Sequence, residues 1–438
     1  MSVQAHDMEL SGQVSSGVSA LLISTCYASG QIVDLGGTGV GTGDLRLSSS
    51  ELSLLTSVNL TVRALGSGWI RVQGVSSADL SNVAGPVLLD ASGAGGAISF
   101  LVSSTWRALQ ARAGAGLNVS ANIATTAGDL MLEGNADYLQ TAADPSRFSI
   151  DVNVASVSLV ANSGSLYVGA SNQAGTVGVV APSSWNATGS ITVYPALSVW
   201  SGSGVVAWSA DTDGNAVGSV VLSATSNVSV AASTASLFAL SGADVDLLCT
   251  VGGVIAGSCP ISVVPSATSI GMKLGGSNTA TFYLSASEVN LLQSSSWLLF
   301  GGTPATSLVV DGLSYTGGAS PVQLWSLSSA SASSSVTFSG GASVFGGALD
   351  VRALGSIVMT ANVTGMHSGS VSNGGSVGVL FAADFGACPL CVIGSLFVCL
   401  FVCLFVFCLC FVVCTFSLHC LLPVFHRCLF MCDLLSLL

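Results

Sequence analysis

The segment LSSSELSLL at residues 47–55 recurs as LSASEVNLL at residues 284–292. Downstream of it, IRVQGVSS from Ile70 matches LVVDGLSY from Leu308. The offset between matching positions stays between 235 and 240 residues. The two copies therefore differ by short insertions, as duplicated structural units do where loops join them. A long duplicated chain built mainly from Gly, Ser, Ala, Val and Leu is predicted to be a scaffold.

The composition argues against a helical protein and against nucleic-acid binding. Only 7% of the 438 residues are charged, while 52 are glycine and one, Lys273, is lysine. Exposed helices ordinarily carry more Lys, Glu and Arg than this. The formal net charge is −12, and the scattered arginines form no basic cluster that could neutralise phosphates. We therefore expect no nucleic-acid partner.

Short alternating runs fill the middle of the chain. Examples are SVSLVA from Ser156, TVGVVA from Thr176 and SVVLSA from Ser219. Val-rich alternation with a period of two, bounded by Gly, Ser, Asn or Pro, is the pattern of β-strands. Successive runs start too close together for crossover helices between them. The body is predicted to be all-β.

A parallel β-helix (β-solenoid) fits these strands better than a string of sandwich domains. A sandwich would repeat at roughly 100 residues and carry bulky aromatic core residues. Here the repeat is more than twice as long, and aromatic residues make up 7% of the chain. The predicted organisation is N-terminal rungs at 1–31, a first solenoid copy at 32–150, connecting rungs at 151–269, a second copy at 270–387 and a Cys-rich apolar tail at 388–438.

The two ends of the chain differ from the body. No charged residue lies between Phe385 and Leu418, and this run exceeds the roughly 20 residues that cross a bilayer as a helix. We predict a helical transmembrane segment at about 391–418, with the solenoid outside and the C-terminus in the cytoplasm. The alternative is that this low-complexity tract is translated non-coding sequence. No secretion signal is visible near Met1, which leaves an internal start as a further expectation.

Few residues are candidates for catalysis. The chain has four histidines, and no nucleophile elbow, phosphate loop or zinc spacing occurs. Asp244 and Asp246 are two positions apart on a predicted strand, hence on one face. They lack a basic neighbour in the sequence, and a solvated outward face explains them without a catalytic role. We expect no enzymatic activity and no cofactor.

Two other sets of residues are candidates for metal binding or modification. Asp211, Asp213 and Asn215 suggest a calcium loop, although Ala216 and Leu222 stand where an EF-hand needs Gly and an acid. A tight turn at Asp213 is the simpler interpretation. Five Asn-x-Ser/Thr sequons are candidates for N-glycosylation in a secretory pathway: Asn59, Asn118, Asn186, Asn227 and Asn362.

The tryptophans and two neighbouring cysteines are expected in the core. A carbohydrate platform would need the tryptophans stacked outward, whereas their wide spacing favours core or cap positions. Cys249 and Cys259 are close enough to bridge a loop, but two small buried apolar residues are the preferred interpretation.

The pattern L-S-x-S-E-[LV]-x-L-L, followed downstream by SVTFSGGASVFGGALDVRALGSIVMTANVTG from Ser335, resembles the repeats of giant filamentous-haemagglutinin-like β-helical adhesins. The resemblance covers most of residues 32–387. It implies a right-handed parallel β-helix, exported to a cell surface, that acts as a stalk or adhesive surface toward cells or glycans. The apolar tail is foreign to that family.

The function expected from the sequence is that of a non-enzymatic extracellular β-solenoid segment of a large repetitive surface protein. Its expected partners are cell-surface or glycan ligands, neighbouring repeats of a longer chain and, through the tail, a membrane. One alternative is a β-helix enzyme acting on polysaccharide, which an outward cluster of three or more carboxylates in one groove would favour. Another is a fragmentary or mis-predicted gene product without independent function.

Overall fold

The computed structural model describes residues 1–27, 30–37, 43–137, 149–170, 175–231, 235–249, 252–317, 320–328 and 334–365, with the backbone of 380–383. The first strands are Ser2–Ala5 (β1), Val14–Ser15 (β2), Leu21–Thr25 (β3), Ile32–Leu35 (β4) and Leu45–Leu47 (β5), followed by helix Ser49–Leu52 (α1). Next come Leu55–Thr56 (β6), Leu60–Arg63 (β7), Trp69–Gln73 (β8), Val87–Ala91 (β9), Ala97–Val102 (β10), Ser104–Trp106 (β11), Leu109–Ala113 (β12), Gly116–Val119 (β13), Ile123–Thr125 (β14) and Leu130–Glu133 (β15).

The central strands are Ile150–Val152 (β16), Val157–Ala161 (β17), Leu166–Val168 (β18), Thr176–Ala187 (β19), Ile191–Val193 (β20), Ala196–Ser209 (β21), Ser219–Leu222 (β22), Val228–Val230 (β23), Leu237–Gly242 (β24), Asp244–Leu247 (β25), Val254–Ile255 (β26), Ile261–Pro265 (β27), Met272–Gly275 (β28) and Phe282–Leu284 (β29). After helix Ala286–Leu291 (α2) come Leu292–Gln293 (β30), Leu298–Gly302 (β31), Ser307–Asp311 (β32), Ser314–Tyr315 (β33), Val322–Ser326 (β34), Ser335–Ser339 (β35), Ser343–Phe345 (β36), Leu349–Ala353 (β37), Ser356–Met359 (β38), Val363–Gly365 (β39) and Leu380–Ala383 (β40).

The chain visits three ladders of parallel strands in turn. Face I contains β1, β3, β7, β9, β12, β15, β18, β20, β22 and β25, followed by β29, β28, β32, β35 and β38. Face II contains β5, β4, β8, β10, β13, β16, β23, β26 and β30, followed by β33, β36 and β39. Face III contains β2, β6, β11, β14, β17, β24, β27, β31, β34, β37 and β40. The long strands β19 and β21 run from face II into face III.

Every strand pairing among the described residues is parallel. The prediction of an all-β body with parallel sheets is therefore confirmed, and the repeated visits to three faces fit a β-solenoid. Each complete visit to the three faces is called a rung below. The tail at 388–438, with the predicted membrane helix at about 391–418, lies outside the described residues. Within those residues, no helix is long and apolar enough to cross a membrane.

The core is a set of apolar columns that run through the stack of rungs. On face I, one in-register column contains nine fully buried side chains: Leu21, Leu60, Val87, Leu109, Leu130, Leu166, Ile191, Val220 and Val245. Burying each such side chain stabilises the fold by about 1.5–3 kcal/mol. Near the middle of the stack, the rings of Trp185 and Trp208 lie parallel with centroids 4.7 Å apart. The expectation of buried tryptophans holds for these two and for Trp106, whereas Trp69 is exposed.

Hydrogen bonds and ion pairs join successive rungs on the outside. The Asp129 carboxylate accepts the N–H of Ser165, the Ser165 hydroxyl accepts the N–H of Ser190, and the Ser190 hydroxyl accepts the N–H of Ser219. Arginines on one rung also pair with acids on the adjacent rung, as Arg63 does with Asp90 at 2.7 Å. Small hydroxyl side chains thus bind backbone groups that would otherwise need water.

The repeated segment that opens each sequence copy forms a short helix. In α1, Ser48 accepts the N–H of Glu51 while the Glu51 carboxylate accepts the N–H of Ser48; Ser285 and Glu288 do the same in α2. This reciprocal arrangement is a capping box. A period-two strand pattern finds neither helix, although the spacing Ser-x-x-Glu is the appropriate signal.

The two copies lie on different faces of the stack. Helix α1 is followed by β6 on face III, β7 on face I and β8 on face II, whereas α2 is followed by β30 on face II, β31 on face III and β32 on face I. Each element of the second copy therefore lies one face behind its counterpart. The correspondence also extends upstream of the helices, since Val14 pairs with Leu55 as Val254 pairs with Leu292.

Candidate functional site: an acidic corner

Three carboxylates converge where the second copy begins. Asp244 and Asp246 project from β25, whose alternate residues Val245 and Leu247 are buried. The expectation that both acids share the outward face is therefore confirmed. Glu288 on α2 lies beside them. Helix α2 follows β29 at the corner between faces I and II and contacts β25 of the preceding rung. These three residues are called the acidic corner.

Backbone hydrogen bonds fix two of these side chains. Asp244 Oδ1 accepts the N–H of Val245 and the N–H of Tyr283, each at 2.9 Å. Glu288 Oε1 accepts the N–H of Leu247 at 3.1 Å, and its other oxygen accepts the N–H of Ser285 at 2.8 Å. Glu288 thus ties the helix to the rung below it.

The acidic corner shifts the titration of its members. Burial, together with repulsion from Asp246 and Glu288, outweighs the backbone hydrogen bonds and raises the pKa of Asp244 to about 6. Burial and the charge of Glu288 also raise the pKa of Asp246. Asp244 is therefore a group that exchanges protons close to neutral pH, in the range suited to general acid–base chemistry.

The nearest basic residue on this face is engaged elsewhere. Lys273 lies in register with Tyr283, on the strand above it, but its ammonium pairs with Asp311 at 3.0 Å and donates to the Thr279 hydroxyl at 3.2 Å. The Tyr283 hydroxyl donates to the Gly276 carbonyl at 2.7 Å. Lys273 therefore lies on the same face as Asp244, but its ion pair is with Asp311 and not with Asp244.

The first copy contains the same corner with a different charge. Asp7 Oδ1 accepts the N–H of Met8 at 2.9 Å, and Glu51 accepts the N–H of Leu10 at 2.9 Å, as Asp244 and Glu288 do in the second copy. Where the second copy has Tyr283, the first has Arg46, which pairs with Asp7 at 3.2 Å. Although burial opposes it, hydrogen bonding and attraction to Arg46 lower the pKa of Asp7.

The predicted calcium residues are placed in a hydrogen-bonded turn. The buried Asp211 carboxylate accepts hydrogen bonds from the N–H groups of Ala216 and Val217 and from the Ser266 hydroxyl. The exposed Asp213 accepts from the Asn215 amide at 2.9 Å. Asp211 thus turns inward while the other two face solvent. In the part of the chain that the structure describes, no group of three His, Cys, Asp or Glu residues is placed to hold a metal ion.

The sequons and cysteines lie at defined positions. Asn59 and Asn362 are exposed, whereas Asn118, Asn186 and Asn227 are half-buried. Asn118 and Asn186 belong to strands β13 and β19. Cys249 and Cys259 are both buried and unbridged, as the preferred interpretation expected.

A surface depression of about 370 Å³ lies on face II. Its lining is neutral and includes Ile255, Gln293 and Ser295. None of the three carboxylates of the acidic corner lines this depression.

Comparison with known proteins adds no relative: no protein-family model, no curated protein and no solved structure matches this chain.

The sequence predicted the shared face of Asp244 and Asp246, but it did not predict that Glu288 and Tyr283 would lie beside them. The capping box around Ser285 was the available signal for Glu288. Its approach to β25 depends on the length of one rung, which the local pattern does not specify.

Proposed function

We propose that this protein is a non-enzymatic β-solenoid segment of a repetitive surface protein, which binds cells or glycans through its outer faces. The observation that carries the proposal is the stack itself: parallel rungs with apolar side chains inside and small polar side chains outside. Repeated rungs create long surfaces of regular spacing. Such surfaces suit extended ligands such as glycan chains.

The outer faces carry hydroxyl groups at short intervals. On face III, the Ser184 hydroxyl donates to the Ser158 hydroxyl of the preceding rung at 3.0 Å. On face I, Thr192 lies in register between Tyr167 and Val221. Hydroxyl and aromatic side chains are the groups that hydrogen-bond and stack on sugars. Attachment to a membrane would come from the tail at 388–438, a proposal that rests on the sequence.

The test is a glycan array and a cell-binding assay with the full chain in lipid nanodiscs. Ser184→Arg places a long charged side chain on face III, and Thr192→Arg is the matched change on face I. We expect one of the two to abolish binding and the other to preserve it, because a ligand occupies one face. A wild-type chain that binds neither glycans nor cells would contradict the proposal.

The acidic corner supports a second candidate, a polysaccharide-cleaving enzyme. The specific observation is that the pKa of Asp244 is raised to about 6 beside two further carboxylates. A panel of polysaccharides incubated with wild type, Asp244→Asn and Asp7→Asn separates the candidates. An enzyme at this corner loses its activity in Asp244→Asn and keeps it in Asp7→Asn. Absence of cleavage by the wild type leaves the binding proposal in place.

A further inference from the structure

The depression on face II opens where the stacking of that face is interrupted. Its lining comes from three successive rungs, with Ile255 on β26, Gln293 on β30 and Gly317 after β33. β26 pairs in parallel with β30, and β33 pairs with β36. Among the described residues, no ladder joins β30 to β33. The depression therefore lies at a step in face II, where one strand does not pair with the next.

Side chains take the place of the missing ladder. The Asn290 amide of α2 donates to the Ser314 carbonyl at 2.7 Å, and its oxygen accepts the N–H of Thr316 at 2.8 Å. The hydroxyl of the buried Tyr315 donates to the Leu292 carbonyl at 3.1 Å. These bonds satisfy backbone groups at β30 and β33 that a ladder would otherwise pair. The step is therefore a defined feature of the fold.

The first copy is closed at the corresponding place. There β2 pairs with β6 as β26 pairs with β30, and the small residues Ser15 and Thr56 stand where the second copy has its isoleucine and glutamine. Ser57, directly after β6, pairs with Val83 of the next rung. The same strand pair is thus covered in one copy and open in the other.

The lining combines an exposed apolar side chain with unpaired polar groups. Ile255 is 45% exposed, although the residues in register below it are Ser229 and Ser198. Within the described part of the chain, the Gln293 amide makes no hydrogen bond, and neither does the hydroxyl of Ser320, which is 3% exposed. Apolar surface beside a few convergent donors and acceptors is typical of small-molecule sites.

We propose that this depression binds a short neutral sugar. Its volume of about 370 Å³ lies near the lower end for small-molecule pockets and accommodates about one or two sugar rings. A sugar ring presents C–H groups on its face and hydroxyl groups around its rim. The Ile255 side chain contacts the C–H face, while Gln293 and Ser320 bond the hydroxyls, because both side chains can donate and accept.

The charge of the lining limits the ligand to neutral sugars. None of the described residues that line the depression is charged. A carboxylate or sulfate group bound there would lose its water without meeting a cation. The net charge of −12 also disfavours the approach of an anion.

This proposal does not depend on the adhesive function. Ser184 and Thr192, which test that function, lie on faces III and I. A single shallow site for a short sugar binds with a dissociation constant on the order of 1 mM, which is too weak to retain a ligand on a glycan array. The two proposals can therefore fail separately.

Saturation-transfer difference NMR of the full chain in lipid nanodiscs tests the proposal, with empty nanodiscs as the blank and circular dichroism as the check on folding. The probes are the methyl glycosides of glucose, galactose, mannose and N-acetylglucosamine, with methyl glucuronide as the anionic control. We expect the wild type to bind at least one neutral probe, and to bind the glucuronide more weakly than that probe.

Three variants locate the site. Ile255→Arg fills the depression and should abolish binding of the neutral probe. Gln293→Ala should weaken binding by about three- to tenfold, the loss expected for one neutral hydrogen bond. Ser198→Arg is the matched control, because it adds the same charge to the same face, two rungs below Ile255 and outside the lining. It should bind as the wild type does.

The proposal is overturned if the wild type shows no saturation transfer to any neutral probe, or if it binds the glucuronide as well as the neutral sugars. Unchanged binding by folded Ile255→Arg would place the site elsewhere, and so would a loss shared by Ser198→Arg. If Ile255→Arg does not fold, Gln293→Ala decides, and wild-type affinity in that variant contradicts the proposal.

Discussion

The two helix corners have the same backbone and opposite electrostatics. In both, an aspartate accepts the N–H of the next residue and a capping-box glutamate accepts an N–H from the rung below. Arg46 pairs with Asp7 in the first corner, whereas Tyr283 occupies that place in the second. The pKa of Asp7 is lowered and that of Asp244 is raised to about 6. Burial is the largest cause of the raised pKa of Asp244, and repulsion from Asp246 and Glu288 adds to it. At Asp7 the hydrogen bonds and the attraction to Arg46 outweigh burial, so the same backbone arrangement has opposite effects on the two pKa values.

The largest expected effect is on stability, and it comes from weakening the core between the two corners. Trp208 stacks on Trp185 between the copies and is fully buried. Trp208→Ala should reduce the free energy of unfolding by about 3–5 kcal/mol, because it leaves a cavity in the shared core. In a stack where each rung contacts only its neighbours, this also weakens the coupling between copies. Calorimetry should show two transitions in place of one. A single transition with unchanged midpoint would contradict the shared core.

A matched pair of glutamate variants compares the corners directly. Glu51→Ala removes the acceptor of the Leu10 and Ser48 N–H groups and should cost about 1–3 kcal/mol. Glu51→Ala also relieves the repulsion between Glu51 and Asp7. Glu288→Ala removes equivalent bonds and relieves repulsion with two carboxylates, Asp244 and Asp246, so its cost should be smaller. Denaturant unfolding at pH 7 measures both. Equal losses of unfolding free energy in the two variants would mean that repulsion among the carboxylates does not destabilise the second corner.

The next prediction concerns pH. The folded-state pKa of Asp244, about 6, lies above its usual value of 3.8, so the folded protein binds the proton more tightly than the unfolded chain. The stability this provides is present below pH 3.8 and is lost as pH rises through 6. Asp244→Asn keeps an oxygen for the Val245 and Tyr283 N–H groups and should stabilise the protein at pH 7 by about 1 kcal/mol, after allowance for solvent screening. At pH 4 the gain should vanish.

Asp7→Asn is the control for that experiment. The pKa of Asp7 is lowered, so its contribution is present above the usual value and is lost as pH falls through the folded-state pKa. Asp7→Asn should therefore leave stability at pH 7 unchanged or slightly reduced. A gain at pH 7 similar to that of Asp244→Asn would remove the distinction between the corners.

The smallest expected change in stability comes from exchanging Arg46 and Tyr283, the residues that distinguish the two corners. Tyr283→Arg should lower the pKa of Asp244, and Arg46→Tyr should raise that of Asp7. Because Arg46 and Asp7 are 42% and 49% exposed, stability should change by less than about 1 kcal/mol in either variant. Carboxylate titration by NMR reads the pKa directly. If the pKa of Asp244 did not move in Tyr283→Arg, the residue at this position would not account for the difference between the two corners.

The sequence predicts the body of this fold better than its corners. The alternating runs from Ser156 and Thr176 lie in β17 and β19, because period-two alternation follows from the geometry of a strand. The side of the strand on which Asp244 lies follows from the same rule. Right-handedness and the adhesive role stay predictions of the family resemblance.

What the sequence could not supply depends on contacts between rungs. Glu288 reaches Leu247 across 41 positions, a distance set by how many residues one rung uses. The one-face offset between copies has the same origin, since it accumulates from every turn between them. Local periodicity contains neither quantity.

The most direct test of this comparison is NMR titration of the full chain with ¹³C-labelled aspartate carboxylates, using Asp7→Asn and Asp244→Asn to assign the two signals. We predict that Asp244 titrates with a pKa near 6 and Asp7 below its usual value. If both residues instead titrated together at the usual aspartate pKa, the two corners would be electrostatically equivalent, and neither the burial of Asp244 nor the pairing of Asp7 with Arg46 would control how these carboxylates titrate.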